Sequence, residues 1–386
     1  MINITSKSDC CGCSACAQVC PQKCITMKED SEGFFYPSVN SVKCTDCGLC
    51  EKSCPIIKNK KNNETIFAYA CQNINESTRL DSSSGGIFSL LAEYILENNG
   101  VIFGASFDEN IILSHSYAQT KDEYKKFRGS KYLQSKIENS YSKTKEFLNT
   151  GRLVMFTGTP CQIDGLKSYL KKEYTNLILV DLACHGAPSP KVFAKYKSEL
   201  ERRFISKIQK IFFRNKNSGW KTYSVYYEFK NGKQYSAIFN KDLFMKGFLK
   251  DLYLRPSCHK CVSNGLTRNA DITLADYWGV SKYYPEMDDD KGTSLILINS
   301  SKGKQYFDDI SSKMNFINSK IEHALEGNPS IIKSVPPHKN RNKFFVNMDR
   351  YDFDKLINKY CKDGAYFKLR TNLSRVKFKL KSLIKN

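Results

Sequence analysis

No stretch of this chain of 386 residues approaches the roughly 18 consecutive apolar residues that a membrane span requires; even the apolar run at 177–180 stops at Asp181. The first nine residues also lack the apolar segment of a signal peptide. Both absences point to a soluble chain in a reducing cytoplasm, where thiols stay free, so disulfides are not the expected use of its 16 Cys. Low-complexity sequence is missing apart from the polar stretch 58–65, which reads as a linker. Acidic residues are in short supply: 39 Asp+Glu face 60 Lys+Arg, a formal charge of +21. The basic residues are spread along the chain rather than gathered, which argues against a nucleic-acid partner.

What the chain has is cysteine in a metal-binding pattern. Cys10, Cys13, Cys16 and Cys20 form C-x2-C-x2-C-x3-C before Pro21, and the string returns at Cys44, Cys47, Cys50 and Cys54 before Pro55. A tight loop wraps three corners of a 4Fe-4S cubane, and the fourth ligand comes from elsewhere. In chains with two such strings the fourth Cys of each run serves the other cluster. The inferred sets are Cys10, Cys13, Cys16 and Cys54 for one cluster, and Cys44, Cys47, Cys50 and Cys20 for the other. Cys11, beside Cys10, is an alternative for that one ligand. Each half of the repeat is too small to fold without metal, so folding and cluster assembly are expected to be coupled.

Clusters also correct the charge. An oxidised cubane with four thiolates carries roughly −2, so three would bring the chain to about +15, and a dinucleotide flavin to about +13. The remaining excess suits an acidic partner such as a small ferredoxin or a phosphorylated substrate; a solubilising Lys-rich surface explains it equally well.

After the linker the pattern alternates between helix and strand. Helices are predicted at 86–98, at 141–149 and after Pro160, with strands at 101–107, 111–118, 152–156 and 177–182. A hairpin is predicted from 224–230 and 234–239 around Asn231-Gly232, with further strands at 271–275 and 294–298. The expected fold class is α+β (mixed). A small two-cluster ferredoxin-like domain (1–57) and the linker (58–65) precede an α/β domain with a mixed sheet (66–332) and a helical basic extension (333–386). At 369–384 one helical face is apolar and its surroundings are basic. It is expected to dock on its own domain, with contact to an anionic membrane surface as the alternative.

Four more cysteines form a second constellation. Cys161 follows Gly158-Thr159-Pro160 between a strand end and a helix start, Cys184 follows the next strand, and Cys258 and Cys261 make a C-x2-C. Loops at the carboxyl ends of adjacent strands converge on one crevice, which would bring the four together. Buried small hydrophobes, a four-Cys zinc site and a third 4Fe-4S cluster all fit the spacing.

The ordered strings at 82–86 (SSSGG), 128–132 (RGSKY), 157–162 (TGTPCQ), 181–186 (DLACHG), 255–261 (RPSCHKC) and 270–279 (ADITLADYWG) closely resemble the coenzyme F-420 hydrogenase/dehydrogenase beta-subunit family. The resemblance is to the form fused to an N-terminal two-cluster ferredoxin module, and it spans roughly residues 1–300. It implies an FAD beside a third 4Fe-4S cluster held by Cys161, Cys184, Cys258 and Cys261. It also assigns to the flavin Ser84, Gly85 and Gly86, Ser130, Lys131 and Tyr132, and Gly158, Thr159 and Pro160. Ser84-Gly85-Gly86 before a helix would place N–H groups and a helix dipole at a pyrophosphate, although alone such a string is usually a capped turn.

His185, beside Cys184, is the candidate proton donor, against the more ordinary role of bonding a cluster sulfur or capping a strand. Asp276-Tyr277-Trp278 is expected to orient the Cys261 side, and Cys11, Cys24, Cys71 and Cys361 are left without a ligand role.

The functional expectation is an iron–sulfur flavoprotein oxidoreductase, cytoplasmic or peripheral at the inner membrane face. It would pair single electrons at FAD for a small-molecule substrate or a deazaflavin coenzyme, with ferredoxin or another protein as donor. The alternative is a beta subunit that relays electrons to a separate catalytic partner. A non-redox iron–sulfur binding protein is a distant third.

Overall fold

The computed structural model describes residues 1–57 and 63–361. In the first segment α1 (Ala15–Val19) precedes the hairpin of β1 (Ile25–Glu29) and β2 (Phe35–Val39), and α2 (Leu49–Lys52) follows. The sequence repeat is also a repeat of backbone conformation. Gly12 and Asp46, 34 positions apart, are both left-handed (φ 72° and 48°), as are Ser14 and Gly48 (φ 63° and 69°). Each cysteine loop thus turns the same way into its short helix.

The chain resumes with β3 (Asn63–Glu64), β4 (Phe67–Asn73), α3 (Glu76–Leu80), α4 (Ile87–Glu97), β5 (Val101–Phe107) and β6 (Leu113–Ala118). Next come α5 (Ser140–Asn149), β7 (Val154–Gly158), α6 (Pro160–Leu170), β8 (Leu177–Leu182) and α7 (Pro190–Phe204). A separate antiparallel sheet follows from β9 (Ile208–Asn215), β10 (Ser224–Phe229) and β11 (Gln234–Ile238), so the expected hairpin gains a third strand. The remaining elements are α8 (Leu243–Phe248), β12 (Thr267–Arg268), β13 (Ile272–Asp276), α9 (Val280–Tyr283), β14 (Ser294–Ile298), α10 (Ser301–Ile310), β15 (Met314–Ser319), α11 (Ile321–Glu326), α12 (Arg341–Asn347) and α13 (Phe353–Tyr360).

Eight strands form one mixed sheet in the order β15-β4-β14-β13-β8-β7-β5-β6. The central β13, β8, β7 and β5 run parallel, and the flanking strands pair antiparallel. The central strands are apolar runs because helices or loops cover both faces; every residue of β7 is buried. Helix α4 buries Ile87, Leu90, Leu91 and Ile95 against this sheet. The carboxyl ends of β5, β7, β8 and β13, at Phe107, Gly158, Leu182 and Asp276, share one edge of the sheet, where α/β folds place their ligands.

A second, aromatic-rich core joins α7, the three-stranded sheet and α8 to α12 and α13. The last two residues before the end of the expected linker, Asn63 and Glu64, form β3, which pairs with β12. The amphipathic stretch 369–384 lies outside the described residues. Among the described residues no helix is long and apolar enough to cross a membrane.

Candidate functional site

In the N-terminal segment the two cysteine runs interlock. One open cavity of about 310 Å³ is lined by Cys10, Cys13, Cys16 and Cys54, with Ile2, Ile4, Met27 and Ile56 around them. A second, of about 340 Å³, is lined by Cys20, Cys44, Cys47 and Cys50. Each cavity takes three thiols from one run and one from the other. Among the described residues no three or more His, Cys, Asp or Glu side chains are grouped to hold a metal ion. Thiols spaced around a cavity suit an inorganic core that has its own volume, as a cubane does. Backbone N–H groups already reach the sulfurs: Ile2 donates to Cys50 Sγ at 3.3 Å and Asp46 to Cys44 Sγ at 3.4 Å. Burial pushes the Cys16 thiol up to about 12, so a thiolate there needs a compensating cation.

Two of the left-over cysteines are closer to these cavities than spacing suggested. Cys24 lines the second one, with its Sγ 3.3 Å from that of Cys20. Cys11 lines the first, with its thiol close to those of Cys13 and Cys161. Cys71 and Cys361 are buried in apolar cores.

The third constellation also gathers. Cys184 is held well above the usual thiol range, first by burial and then by the charges of Cys258, Cys161 and Cys261. Burial and neighbouring thiols of the same set push Cys258 to about 12 and Cys261 to about 11. The elements explain the meeting. Cys161 opens α6 just beyond β7, Cys184 follows β8, and the Ala187 N–H donates to Cys258 Sγ at 3.3 Å, tying the C-x2-C loop to the end of β8. Helix α6 also abuts the N-terminal cluster loop. A Cβ at Gly165 would lie 2.8 Å from Cys13 Cβ, so the two thiol sites are neighbours across this helix.

The loops that the resemblance assigns to a flavin meet one another. The Ser130 N–H donates to Ser83 Oγ at 2.7 Å, joining the 128–132 loop to the 82–86 loop. Ser84 Oγ donates to the Thr293 carbonyl at 2.9 Å, the Gly85 N–H donates to Ser294 Oγ at 2.9 Å, and Gly86 caps α4. Lys131 turns its ammonium onto the carbonyls of Phe127, Arg128 and Gly129 at 3.1, 2.9 and 3.1 Å, and burial pulls it down to about 7. Tyr132 packs its ring on Phe248 and Phe213. Gly158, Thr159 and Pro160 lead into α6, and the Thr159 N–H is held by Gln162 Oε1 at 3.0 Å. Gln162 Nε2 reaches Ser135 Oγ at 2.9 Å, which links this turn to the 128–136 segment.

His185 binds the Asp251 carboxylate through Nε2 at 2.6 Å and sets its ring edge-on to Phe248, so its partner is a carboxylate rather than a sulfur. Asp276 does not orient the Cys261 loop. Its carboxylate takes both Arg214 Nη atoms, at 2.6 and 3.0 Å, and the Trp220 indole N–H at 2.7 Å. Arg214 was missed from the sequence, as were Arg79 and Lys216, which stand beside the 82–86 loop. The available signal was a cation directly after the apolar run 211–213. Arg214 Nε is buried without a partner, and so is Arg128 Nε. Anionic groups of a dinucleotide suit such surroundings.

Residues 151–323 match the family model described as the C terminus of the coenzyme F420 hydrogenase/dehydrogenase beta subunit, and residues 9–56 match the 4Fe-4S dicluster domain. An F(420)H(2) dehydrogenase subunit of Methanosarcina mazei is 22% identical over 324 residues, covering 80% of this chain and 84% of that protein. The NADH-quinone oxidoreductase subunit I 2 of Geobacter metallireducens is 38% identical over 68 residues, 16% of this chain and 52% of that protein. A chain in a solved structure of the F420-reducing [NiFe] hydrogenase complex from Methanosarcina barkeri, a xenon derivative, superposes with a TM-score of 0.48 at 18% identity, covering 75% of this chain and 94% of that one. With its ordered motifs and these two family matches, the chain belongs to the coenzyme F420 hydrogenase/dehydrogenase beta-subunit family, and its N-terminal 4Fe-4S dicluster domain ties it to redox electron transfer.

Proposed function

We propose that this chain is an electron-relay beta subunit that hands electrons between a protein donor, such as a ferredoxin, and a separate catalytic partner. The observation that carries the reading is the pair of N-terminal cavities, each lined by three cysteines of one run and one of the other, with Cys11 or Cys24 as a fifth thiol. Cys10, Cys13, Cys16 and Cys54 would hold one 4Fe-4S cluster, Cys44, Cys47, Cys50 and Cys20 the second, and Cys161, Cys184, Cys258 and Cys261 a third. FAD would lie against Ser84–Gly86, Ser130–Tyr132 and Gly158–Pro160. Bound there, the clusters supply one-electron transfer and the flavin an exchange between one-electron and two-electron chemistry.

The protein's own residues give the relay a direction. Cys47 is exposed, so the second N-terminal site is the one open to a protein donor in this reading. Cys11 lies between the first site and Cys161 inside the molecule, close to both Cys13 and Cys161. Four basic side chains stand beside the flavin loops: Arg79 and Arg214, each paired with a carboxylate (Asp289 and Asp276), and Lys131 and Lys216, whose ammoniums burial brings down to about 7. The relative from Methanosarcina mazei is itself named as a subunit, which supports a partner-dependent role.

A second reading is a self-sufficient flavin oxidoreductase acting on a small molecule or a deazaflavin coenzyme. It is favoured by His185, which Asp251 holds at 2.6 Å beside Tyr132's neighbour Phe248, where it would keep a proton at Nε2. Turnover of small acceptors by the chain alone would select this second reading.

The test is iron, acid-labile sulfide and extractable flavin per chain, purified without oxygen. About twelve irons with one FAD is the expected result. About eight irons without flavin, after reconstitution with both, would remove the third cluster and the flavin and leave a two-cluster relay.

A further inference from the structure

Arg255 is 1% exposed, and its guanidinium meets only neutral groups. Nε donates to the Cys10 carbonyl at 2.8 Å and Nη1 to Gln134 Oε1 at 3.1 Å. Nη2 donates to the Phe35 carbonyl at 2.9 Å and lies 3.6 Å from Cys10 Sγ. The rings of Tyr36 and Phe34 cover it at 4.4 and 5.5 Å. Among the described residues no carboxylate pairs with it. Asp30 and Glu32, on the turn of the same hairpin, are engaged by Lys7 and Arg341, each at 2.5 Å. A buried cation without a counter-charge is costly, so native structures pair it. The group that supplies negative charge at this point is the thiolate set of Cys10, Cys13, Cys16 and Cys54 with its iron.

The backbone is arranged around this contact. Gly12 is left-handed at φ 72°, and a Cβ there would lie 2.9 Å from Arg255 Nη1 and 2.6 Å from Gln134 Nε2. The cysteine loop therefore keeps a bare backbone where the guanidinium enters. Arg255 also opens the C-x2-C segment, where its carbonyl accepts from the Cys258 N–H at 3.0 Å. One residue thus grips the Cys10 loop with its side chain and carries the third thiol site on its backbone.

Resting on the relay reading above, we infer that Arg255 is the potential-setting residue of the N-terminal cluster held by Cys10, Cys13, Cys16 and Cys54. Its N–H···S bond and its charge raise that cluster's reduction potential above the value the same thiolate cage would have without the guanidinium. Reduction adds one electron next to a fixed positive charge, which favours the reduced state, and hydrogen bonds to cluster sulfurs act in the same direction.

The test is an electron paramagnetic resonance redox titration of the anaerobic holoprotein, with wild type, Arg255→Gln and Arg255→Lys compared. In Arg255→Gln, one N-terminal signal is expected to lose about tenfold in its reduced-to-oxidised ratio at fixed potential, a fall of about 59 mV for a one-electron couple. Arg255→Lys should fall less, and the other N-terminal signal, which serves as the internal control, should not move. Equal midpoints in wild type and Arg255→Gln at full iron content would overturn the assignment.

If the variants lose iron, wild type labelled with 15N-arginine decides. A nitrogen hyperfine coupling on the reduced N-terminal signal supports the contact, and its absence overturns it. Iron analysis separates the two levels. Clusters present with unmoved potentials defeat this inference alone, whereas wild type that cannot be loaded with N-terminal clusters defeats the relay reading and this inference together.

Discussion

Lys131 shows how a single residue's surroundings set a measurable property. Its ammonium faces three carbonyls and, among the described residues, pairs with no carboxylate, and burial brings it down to about 7. An anionic group bound beside it would restore its charge, so binding above pH 7 takes up a proton, whereas at pH 6 the lysine is already charged. Flavin affinity is therefore expected to be flat below about pH 7 and to weaken above it, by up to about tenfold per pH unit. Equilibrium dialysis of FAD against flavin-free protein at pH 6, 7 and 8 checks this. Lys131→Met should bind more weakly at pH 6 and show no slope; a flat wild-type profile would mean that the ammonium does not face the anion. The sequence made Lys131 visible because it stands in a specific string. Arg214 and Arg255 were invisible as site residues, because their roles depend on where a long side chain ends, and tertiary packing alone fixes that.

At the scale of the element, α6 is where a helix start becomes part of a thiol site. Gln162, buried in its first turn, accepts from the Thr159 N–H and donates to Ser135, so one amide fastens the turn before Cys161 to the 128–136 segment. Gln162→Ala leaves a part-buried backbone donor and the buried Ser135 hydroxyl without this partner, at a cost of about 1 kcal/mol. We expect a lower thermal midpoint and faster alkylation of Cys161 in the metal-free protein, followed by mass spectrometry. An unchanged alkylation rate would show that the amide does not hold the turn.

The elements around this site were readable because their signals are local: a Pro at the helix start, an apolar run for β8 and an amphipathic stripe for α4. Strand β4 gave no such signal. Its residues 68–73 are all buried, so alternation is lost, and its small Ala and Cys residues resemble neither template. The hairpin at 224–239 was readable, but its third partner β9 was not, because pairing across a long loop leaves no trace in spacing.

For the whole molecule, the relay depends on how the N-terminal segment sits on the mixed sheet. The turn between β1 and β2 lies against the start of α7, where Ser189 Oγ donates to the Glu32 carbonyl. The Glu32 side chain takes Arg341 Nη1 and Nη2 at 3.0 and 2.5 Å, while Arg341 Nε donates to the Leu254 carbonyl at 3.0 Å. Arg341 therefore holds the hairpin and the residue before Arg255 at once. It is mostly buried, so Glu32→Gln would leave a guanidinium without its counter-charge. The cost is about 2 kcal/mol, between the ranges for exposed and fully buried pairs.

That cost falls on the docking of residues 1–57, not on the thiols that line the cavities, since neither Glu32 nor Arg341 touches them. Amide exchange across β1 and β2 should therefore rise in Glu32→Gln while the central strands β7 and β8 keep their protection and the iron content holds. Electron passage from the exposed Cys47 side to the third site should slow, because the contact of Cys11 with Cys161 depends on that docking. If exchange rises but transfer between the two ends keeps its rate, the route does not run through the Cys11 contact.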